Sequence, residues 1–309
     1  VKALRFGRHA AIAVLAAGAL ALTSCGSDNA TGTAPAGDQA SSGPKVTGTL
    51  TGIGASSTGA AMDAWKAGFA AANQGATVQY SPDGSGAGRK AIIDGSAQFA
   101  GSDAYLKDEE LEASKAVCGP DGAINIPVYI SPIAVAFNLP GVTELKLDAS
   151  TVAKIFRGEI SNWNDPAIAA LNEGVSLPDL KVTPVNRSDD SGTTTNFTDY
   201  LASAAPEVWT DKSSGVWPAS LQGENAKGTS GVVKTVTDTP GAITYADDSA
   251  VGGKLGTASI KVGEEFVKIS AEAAAKAVEA GKAVEGRSAN DVAIKLDRKT
   301  TASGAYPIV

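Results

Sequence analysis

The sequence contains very little histidine and cysteine. Its only histidine is His9, and its two cysteines are Cys25 and Cys118, in a chain of 309 residues. His9 lies in an N-terminal segment that we expect to be removed, so the mature chain would have no histidine. This excludes Ser-His-Asp and Cys-His nucleophile systems and histidine-based metal sites. The scarcity of cysteine also leaves Cys118 without an evident disulfide partner, which is unusual for an exported protein.

Positive charge is scarce as well. Lys and Arg total 26 against 33 Asp and Glu, which gives a net charge of −7 and a pI of about 4.9. Subtracting the three positive charges of Lys2, Arg5 and Arg8, which lie in the segment to be removed, leaves about −10. An acidic body argues against nucleic acid or an anionic membrane surface as a partner. With 43% hydrophobic residues, the chain can still bury the core of one large or two medium domains.

The N-terminus has the pattern of an export signal. Its basic residues precede an apolar run over 10–22, which is too short to span a membrane comfortably, and Leu-Thr-Ser-Cys follows, ending at Cys25. This ending resembles a bacterial lipobox, so we expect a lipoprotein signal peptide over 1–24 and lipidation of Cys25. Residues 25–46, rich in Ser, Gly, Thr, Ala and Pro, predict a flexible tether to the outer face of the cytoplasmic membrane. The alternative is an ordinary signal peptide with a chance cysteine.

Strand-like and helix-like segments alternate from residue 47 onward. One predicted helix follows the first strand and carries Met62, Trp65, Phe69 and Ala72 on one face. The alternation predicts an α/β fold with mainly parallel pairing, in which ligands bind beyond the carboxyl ends of the strands. The predicted strands cover 47–51, 76–80, 98–101, 126–138, 180–185 and 241–245, and the clearest further helices cover 89–93, 151–157, 229–236 and 271–284.

Two Gly/Ser-rich loops follow predicted strands. The first, Gly-Ile-Gly-Ala-Ser-Ser over 52–57, lacks the Gly-Lys-Ser/Thr of a nucleotide-binding loop and the third glycine of a dinucleotide site. The second, Asp-Gly-Ser-Gly-Ala-Gly over 83–88, has glycines that let a backbone present N–H groups to a ligand. Each loop could also be a plain turn, the first with a helix-capping serine.

Asp103, at the end of a predicted strand, suggests how an anion could be selected. A carboxylate only accepts hydrogen bonds, so it tolerates an oxyanion that still carries a proton and repels one that does not. Monohydrogen phosphate carries such a proton near neutral pH, whereas sulfate does not. The alternative is a helix cap or a solvated side chain.

The run Asn-Arg-Ser-Asp-Asp-Ser-Gly-Thr-Thr-Thr over 186–195 opens a predicted helix. It places the Arg187 guanidinium beside hydroxyls and beside N–H groups that lack an intrahelical partner, a combination suited to a small tetrahedral oxyanion. Arg187 could instead form a salt bridge with Asp189 or Asp190, and both roles can hold together. We interpret the two Gly/Ser-rich loops and this helix start together as one anion site.

These motifs, in this order, resemble the periplasmic phosphate-binding proteins, the substrate-binding components of phosphate ABC importers, in their actinobacterial form. Ile-Phe-Arg-Gly-Glu-Ile-Ser-Asn-Trp over 155–163 and Pro-Gly-Ala-Ile-Thr-Tyr over 240–245 add to the resemblance. It implies a two-lobed type II periplasmic-binding-protein fold with the ligand in the cleft, each lobe a mainly parallel sheet flanked by helices. The expected divisions are lobe 1 over 47–132, lobe 2 over 133–303 and the start of a return crossover to lobe 1 over 304–309.

The resemblance also implies the function and the ligand set. It implies a monomeric receptor, not an enzyme, that uses no cofactor or metal and passes phosphate to membrane permease and ATPase subunits. Asp103 would accept the phosphate proton, and Asp189 would orient the arginine. The phosphate-binding residues implied are Ser56, Ser57, Ser85, Asp103, Arg187, Ser191, Gly192 and Thr193.

In one respect the sequence departs from the family. Family members continue past the Tyr-Pro-Ile motif at 306–308 and return to the first lobe. We therefore expect lobe 1 to be incomplete and to expose apolar surface, and we expect the disulfide partner of Cys118 to lie in that returning segment.

Three alternative functions stay open. A receptor for another tetrahedral oxyanion, sulfate or molybdate, is disfavoured by Asp103. A secreted phosphatase-like hydrolase would need a metal site built from carboxylates, for which Asp189, Asp190, Asp247 and Asp248 are available. A passive surface or adhesion protein would bind no small ligand.

Overall fold

The structure, a computed structural model, describes residues 46–309. The expected signal peptide over 1–24, the expected lipidation site Cys25 and the expected tether up to residue 45 lie outside the described residues. Within 46–309, no helix is both long enough and apolar enough to cross a membrane.

A parallel three-stranded sheet forms the N-terminal part of the described chain. Its strand order is β2-β1-β3, and the pairing aligns Gly52 with Tyr80 on one side and with Phe99 on the other. Parallel neighbours need crossover connections, which here are helices. The elements are β1 (Thr47–Gly54), α1 (Gly59–Ala72), β2 (Gly75–Ser81), α2 (Ser85–Asp94), β3 (Phe99–Gly101) and α3 (Asp108–Cys118).

The rest of the chain builds a larger, seven-stranded sheet with helices packed against it. Asp148, Asp165, Ser191 and Ser270 cap four of these helices by accepting a hydrogen bond from a backbone N–H of the first turn. The strands are β4 (Ile133–Phe137), β5 (Glu144–Leu147), β6 (Thr183–Arg187), β7 (Glu224–Ala226), β8 (Ala242–Asp247), β9 (Gly256–Val262) and β10 (Glu265–Val267); the helices are α4 (Ala149–Arg157), α5 (Pro166–Leu171), α6 (Gly192–Ala204), α7 (Gly228–Asp238) and α8 (Ala271–Glu279); a small hairpin follows, β11 (Lys282–Ala283) and β12 (Ile294–Lys295).

The larger sheet has the order β10-β9-β4-β8-β6-β7, with β5 beside β9. Its β6–β7, β6–β8 and β5–β9 pairs are parallel, and its β4–β8, β4–β9 and β9–β10 pairs are antiparallel. The expected α/β fold is confirmed. Of the antiparallel pairs, β9–β10 is a hairpin that turns at Gly263 with φ +57, whereas β4 pairs with β8 and β9 from far along the chain. The lobe boundaries at 132/133 and 303/304 stay a prediction.

The main hydrophobic core lies on the larger sheet. Phe197 stacks on Tyr245 with ring centroids 4.3 Å apart, and Phe156 packs edge-on against Phe197 at 4.9 Å. In contrast, α1 has no buried residue. Most of the exposed large apolar side chains among the described residues lie before residue 131: Val46, Leu50, Trp65, Phe69, Tyr105, Val117, Ile124, Ile126, Val128 and Ile130.

Two elements are shorter than the sequence predicts. Of the strand predicted over 126–138, only Ile133–Phe137 forms, because Pro127 and Pro132 have no N–H to donate to a neighbouring strand. The helix predicted over 271–284 ends at Glu279, because Gly281 follows and the chain then pairs as β11.

Candidate anion-binding site

The loops predicted to form one site do meet in the structure. The loops after β1 and β3 contact the starts of α2, α6 and α7 through hydrogen bonds, and two of these bonds, Thr193–Asp103 and Thr229–Ser56, join segments of the two sheets. These contacts join residues that are up to 173 positions apart in the sequence.

Asp103 lies at the centre of these contacts. The Ser57 hydroxyl donates to Asp103 Oδ1 at 2.5 Å, and the Thr193 hydroxyl donates to Oδ2 at 3.0 Å. Burial raises the pKa of the Asp103 carboxyl, and hydrogen bonds from Ser57 and Thr193 and the charge of Arg187 offset part of that rise. Both carboxylate oxygens therefore accept hydrogen bonds from hydroxyl groups, and burial makes ionisation of the carboxyl less favourable than in water.

Ser85 and Gly192 bring α2 and α6 together at Asp103. The Asp103 N–H donates to Ser85 Oγ at 3.2 Å, and Ser85 is buried as the first residue of α2. A Cβ on Gly192 would lie 2.5 Å from Ser85 Oγ and 2.8 Å from Asp103 Cβ, so no side chain fits at this position. Glycine therefore allows the start of α6 to approach both residues.

The first turn of α6 presents backbone donors to the same space. Ser191 is its cap, and its Oγ accepts the Thr194 N–H at 3.2 Å. The first N–H groups of a helix have no intrahelical partner, and the helix dipole adds partial positive charge there. Ser191, Gly192 and Thr193 are all buried.

Arg187 ends β6 and is buried, and the side chain of Asp189 beside it is only 8% exposed. Its Nε donates to Asp189 Oδ1 at 2.8 Å, and its Nη2 contacts Asp189 Oδ2. Asp189 Oδ1 also accepts the Gly228 N–H at 3.0 Å. Burial alone would raise the pKa of Asp189, but the hydrogen bonds from Arg187 and Gly228 outweigh it and lower the pKa. The carboxylate stays ionised and fixes the orientation of the guanidinium.

Tyr245 supports this arginine from the core side. The Arg187 N–H donates to the Tyr245 hydroxyl at 3.2 Å, and the same hydroxyl lies 2.8 Å from Thr194 Oγ1. Burial raises the pKa of Tyr245 to about 12, so the phenol stays neutral. It therefore ties the end of β6 to the start of α6.

Two residues at this site were missed by the sequence analysis. Thr229, the second residue of α7, contacts Ser56: the Thr229 N–H donates to Ser56 Oγ at 3.0 Å, and the two hydroxyl oxygens are 3.1 Å apart. Asn196 Nδ2 donates to the Asp103 carbonyl at 2.8 Å. The Gly-Thr-Ser run over 228–230, a helix start like the other loops, was the available signal for Thr229.

The arrangement offers the Arg187 guanidinium, the accepting Asp103 carboxylate, several hydroxyls and three helix starts. Among residues 46–309, no group of three or more His, Cys, Asp and Glu side chains is placed to hold a metal ion. These groups can bind a small oxyanion that carries a proton. The predicted ligand residues Ser56, Ser57, Ser85, Asp103, Arg187, Ser191, Gly192 and Thr193 all belong to this region, with Asp189 bound to Arg187.

Comparisons with known proteins define first the class and then the family. A sequence model described as a PBP superfamily domain matches residues 39–309. The phosphate-binding protein PstS3 of Mycobacterium bovis (strain BCG / Pasteur 1173P2) is 39% identical over 317 residues, which cover 100% of this chain and 84% of that protein. The phosphate-binding protein PstS 3 of Mycobacterium leprae (strain TN) is 40% identical over 319 residues, covering 100% of this chain and 84% of that protein.

Solved structures agree on the fold. A high-affinity periplasmic phosphate-binding protein, PfluDING, bound with phosphate, superposes with a TM-score of 0.62 at 21% identity, covering 84% of this chain and 78% of that one. At this identity the likeness shows the fold alone. The chain belongs to the PBP superfamily and, within it, to the family of the PstS phosphate-binding proteins.

Proposed function

We propose that the protein is an extracytoplasmic receptor for inorganic phosphate that delivers the ion to the permease and ATPase subunits of an ABC importer. Its family supports this proposal, because the relatives that match its whole length are named as phosphate-binding proteins. The observation that carries it is the position of Asp103, a carboxylate held by the Ser57 and Thr193 hydroxyls and influenced by the charge of Arg187.

In this proposal each group at the site has one task. Arg187, oriented by Asp189, neutralises the negative charge of the phosphate. The hydroxyls and backbone N–H groups supply the remaining donors, and the helix dipoles add to the attraction. The phosphate ligands proposed are Ser56, Ser57, Ser85, Asp103, Arg187, Ser191, Gly192 and Thr193.

Asp103 would set the selectivity. An ionised carboxylate accepts the proton of monohydrogen phosphate, whereas against the bare oxygen of sulfate it would leave two acceptors facing each other. An unpaired buried acceptor costs about 1–3 kcal/mol, and more when it is charged. The receptor would therefore reject sulfate even though the two ions have the same shape and a similar charge.

The protein would bind and release phosphate without making or breaking a covalent bond. We propose that Cys25 carries a lipid that anchors the monomer to the outer face of the cytoplasmic membrane. Neither a cofactor nor a nucleic acid enters this account. Closure of two lobes on the ion would present a single closed form to the permease.

Isothermal titration calorimetry of the full chain with phosphate, sulfate and molybdate tests the proposal. We expect saturable, one-to-one binding of phosphate and no heat with the other two ions. Equal or tighter binding of sulfate or molybdate would make the protein a receptor for another oxyanion. Metal-dependent release of a chromophore from a phosphate ester would instead make it a hydrolase.

A further inference from the structure

The start of α7 contacts both halves of the candidate site through two consecutive backbone groups. The Gly228 N–H donates to Asp189 Oδ1 at 3.0 Å, and the Thr229 N–H donates to Ser56 Oγ at 3.0 Å. Asp189 holds Arg187, whereas Ser56 belongs to the loop that follows β1 in the other sheet. One dipeptide therefore links the arginine to the first loop.

The backbone conformation at this position favours glycine. Gly228 has φ +73, which side-chain-bearing residues rarely adopt, although a Cβ there would meet Ser56 Oγ only at an ordinary contact distance of 3.7 Å. The left-handed turn at Gly228 aims two successive N–H groups at different partners. Thr229 itself is buried, with 3% of its surface exposed.

The Thr229 hydroxyl determines what the Ser56 hydroxyl can do. Ser56 Oγ accepts the Thr229 N–H, and its oxygen lies 3.1 Å from Thr229 Oγ1. A hydroxyl has one proton to donate and two lone pairs. When Thr229 Oγ1 donates to Ser56 Oγ, both lone pairs of Ser56 are engaged, and its proton is left for another acceptor.

We infer that Thr229 is a positioning residue for anion binding, which holds the Ser56 hydroxyl with its proton directed to the bound ion and links this contact to the Arg187–Asp189 pair. The inference rests on the proposed function, because it assigns Ser56 as a donor to phosphate. Since Ser56 and Thr229 belong to segments on different sheets, their contact also favours the closed arrangement of the site.

The test compares Thr229→Val with Thr229→Ser and with a control on the same helix. Valine keeps the shape and the backbone N–H but removes the hydroxyl, and serine restores it. Thr237→Val is the control, because the Thr237 hydroxyl donates only to the Val233 carbonyl of its own helix, at 2.8 Å. Phosphate affinity, the dissociation rate by stopped-flow fluorescence and the ligand-free melting temperature are measured for each variant.

We expect Thr229→Val to bind phosphate about three- to tenfold more weakly, the effect of one net hydrogen bond, mainly through faster dissociation. Thr229→Ser and Thr237→Val should bind like the wild type, and the ligand-free melting temperature of Thr229→Val should stay close to that of Thr237→Val. Wild-type affinity in Thr229→Val would overturn the inference. So would a loss of affinity that Thr229→Ser does not restore, or one that is accompanied by an equivalent fall in the ligand-free melting temperature. A wild type that binds no phosphate would instead refute the proposed function.

Discussion

Burial and hydrogen bonding shift the pKa of the Asp103 carboxyl in opposite directions. Burial raises the pKa of its carboxyl, while the Ser57 and Thr193 hydroxyls and the charge of Arg187 stabilise the ionised form in part. A raised folded-state pKa means that the folded protein binds the proton more tightly than the unfolded chain does. The ionised carboxyl therefore costs stability at neutral pH, and this cost disappears as the pH falls through the folded-state pKa towards the unfolded value.

Replacing Asp103 with asparagine should therefore raise stability and relax selectivity. We expect the ligand-free melting temperature of Asp103→Asn to exceed that of the wild type at neutral pH, with the difference shrinking in acid. We also expect measurable sulfate binding, because the amide can donate to a bare oxygen. Calorimetry and thermal melts check both, with Asp121→Asn, an exposed aspartate, as the charge-matched control. Unchanged rejection of sulfate would remove Asp103 from its role in selectivity.

Arg187 is the second residue on which the account depends. Removing a charged donor from a buried anion site costs about 1.5–3 kcal/mol for each hydrogen bond lost. With two bonds lost, Arg187→Ala should weaken phosphate binding by about a hundredfold or more. Arg157→Ala is the control, because Arg157 pairs with Asp211 at 2.8 Å and not with Asp189. Arg187→Ala protein that is folded and binds with native affinity would contradict the site.

Some residues of the candidate site could be predicted from the sequence and others could not. Arg187, Asp103 and the serine loops could be predicted, because each carries its own chemical signal beside a strand end. The contacts that Thr229 and Asn196 make could not be predicted, because their partners lie 173 and 93 positions away and only the fold brings them together. That these residues bind phosphate stays a prediction.

At the scale of elements, α2 packs closely on β1 and β3, the strands that lead to the site. A Cβ on Gly88 would lie 2.6 Å from the Ile53 carbonyl oxygen and 2.9 Å from that of Gly101. The start of the same helix carries Ser85. The position of Ser85 therefore depends on a glycine contact one turn further along.

Gly88→Ala should move α2 away from β1 and β3. We expect a loss of about 1–3 kcal/mol in the free energy of unfolding, as for other overpacked sites, together with weaker phosphate binding. Gly68→Ala in α1 is the matched control, because nothing lies within 4 Å of its Cβ position. It should instead gain about 0.5–1 kcal/mol from helix propensity. Urea unfolding measures both, and equal effects of the two variants would contradict the packing argument.

The helices and strands could be predicted where the sequence carries clear start or stop signals. The helix starts at Asp148, Asp165 and Ser191 carry capping side chains, and the alternation of strands and helices predicted the α/β class. The order of strands in the larger sheet was not predictable, because β4 pairs with β8 and β9 far along the chain. Such pairings depend on long-range packing that local periodicity does not encode.

At the scale of the whole molecule, burial is uneven between the two sheets. Strands β4 and β8 are fully buried, whereas β1 is largely exposed over its first four residues and α1 buries nothing. Exposed apolar residues such as Ile126 and Val128 lie in the same N-terminal part of the chain, at 61% and 70% exposure. Stability should therefore be concentrated in the larger sheet.

Hydrogen exchange followed by mass spectrometry should show this difference. We expect amides of β4, β6 and β8 to exchange most slowly and those of β1, β2 and α1 markedly faster, because few buried contacts oppose local opening there. Phosphate should slow exchange at the starts of α2 and α6. Equal protection of the two sheets in the ligand-free protein would contradict this account.

Selective phosphate binding is tested most simply by a phosphate titration of the full chain in excess sulfate, monitored by intrinsic tryptophan fluorescence. Trp217 stacks on Tyr245 with ring centroids 5.6 Å apart, and the Tyr245 hydroxyl accepts the Arg187 N–H, so the emission reports on the arginine side of the site. We expect a saturable change with phosphate that sulfate neither produces nor blocks. No response to phosphate, or competition by sulfate, would contradict selective phosphate binding.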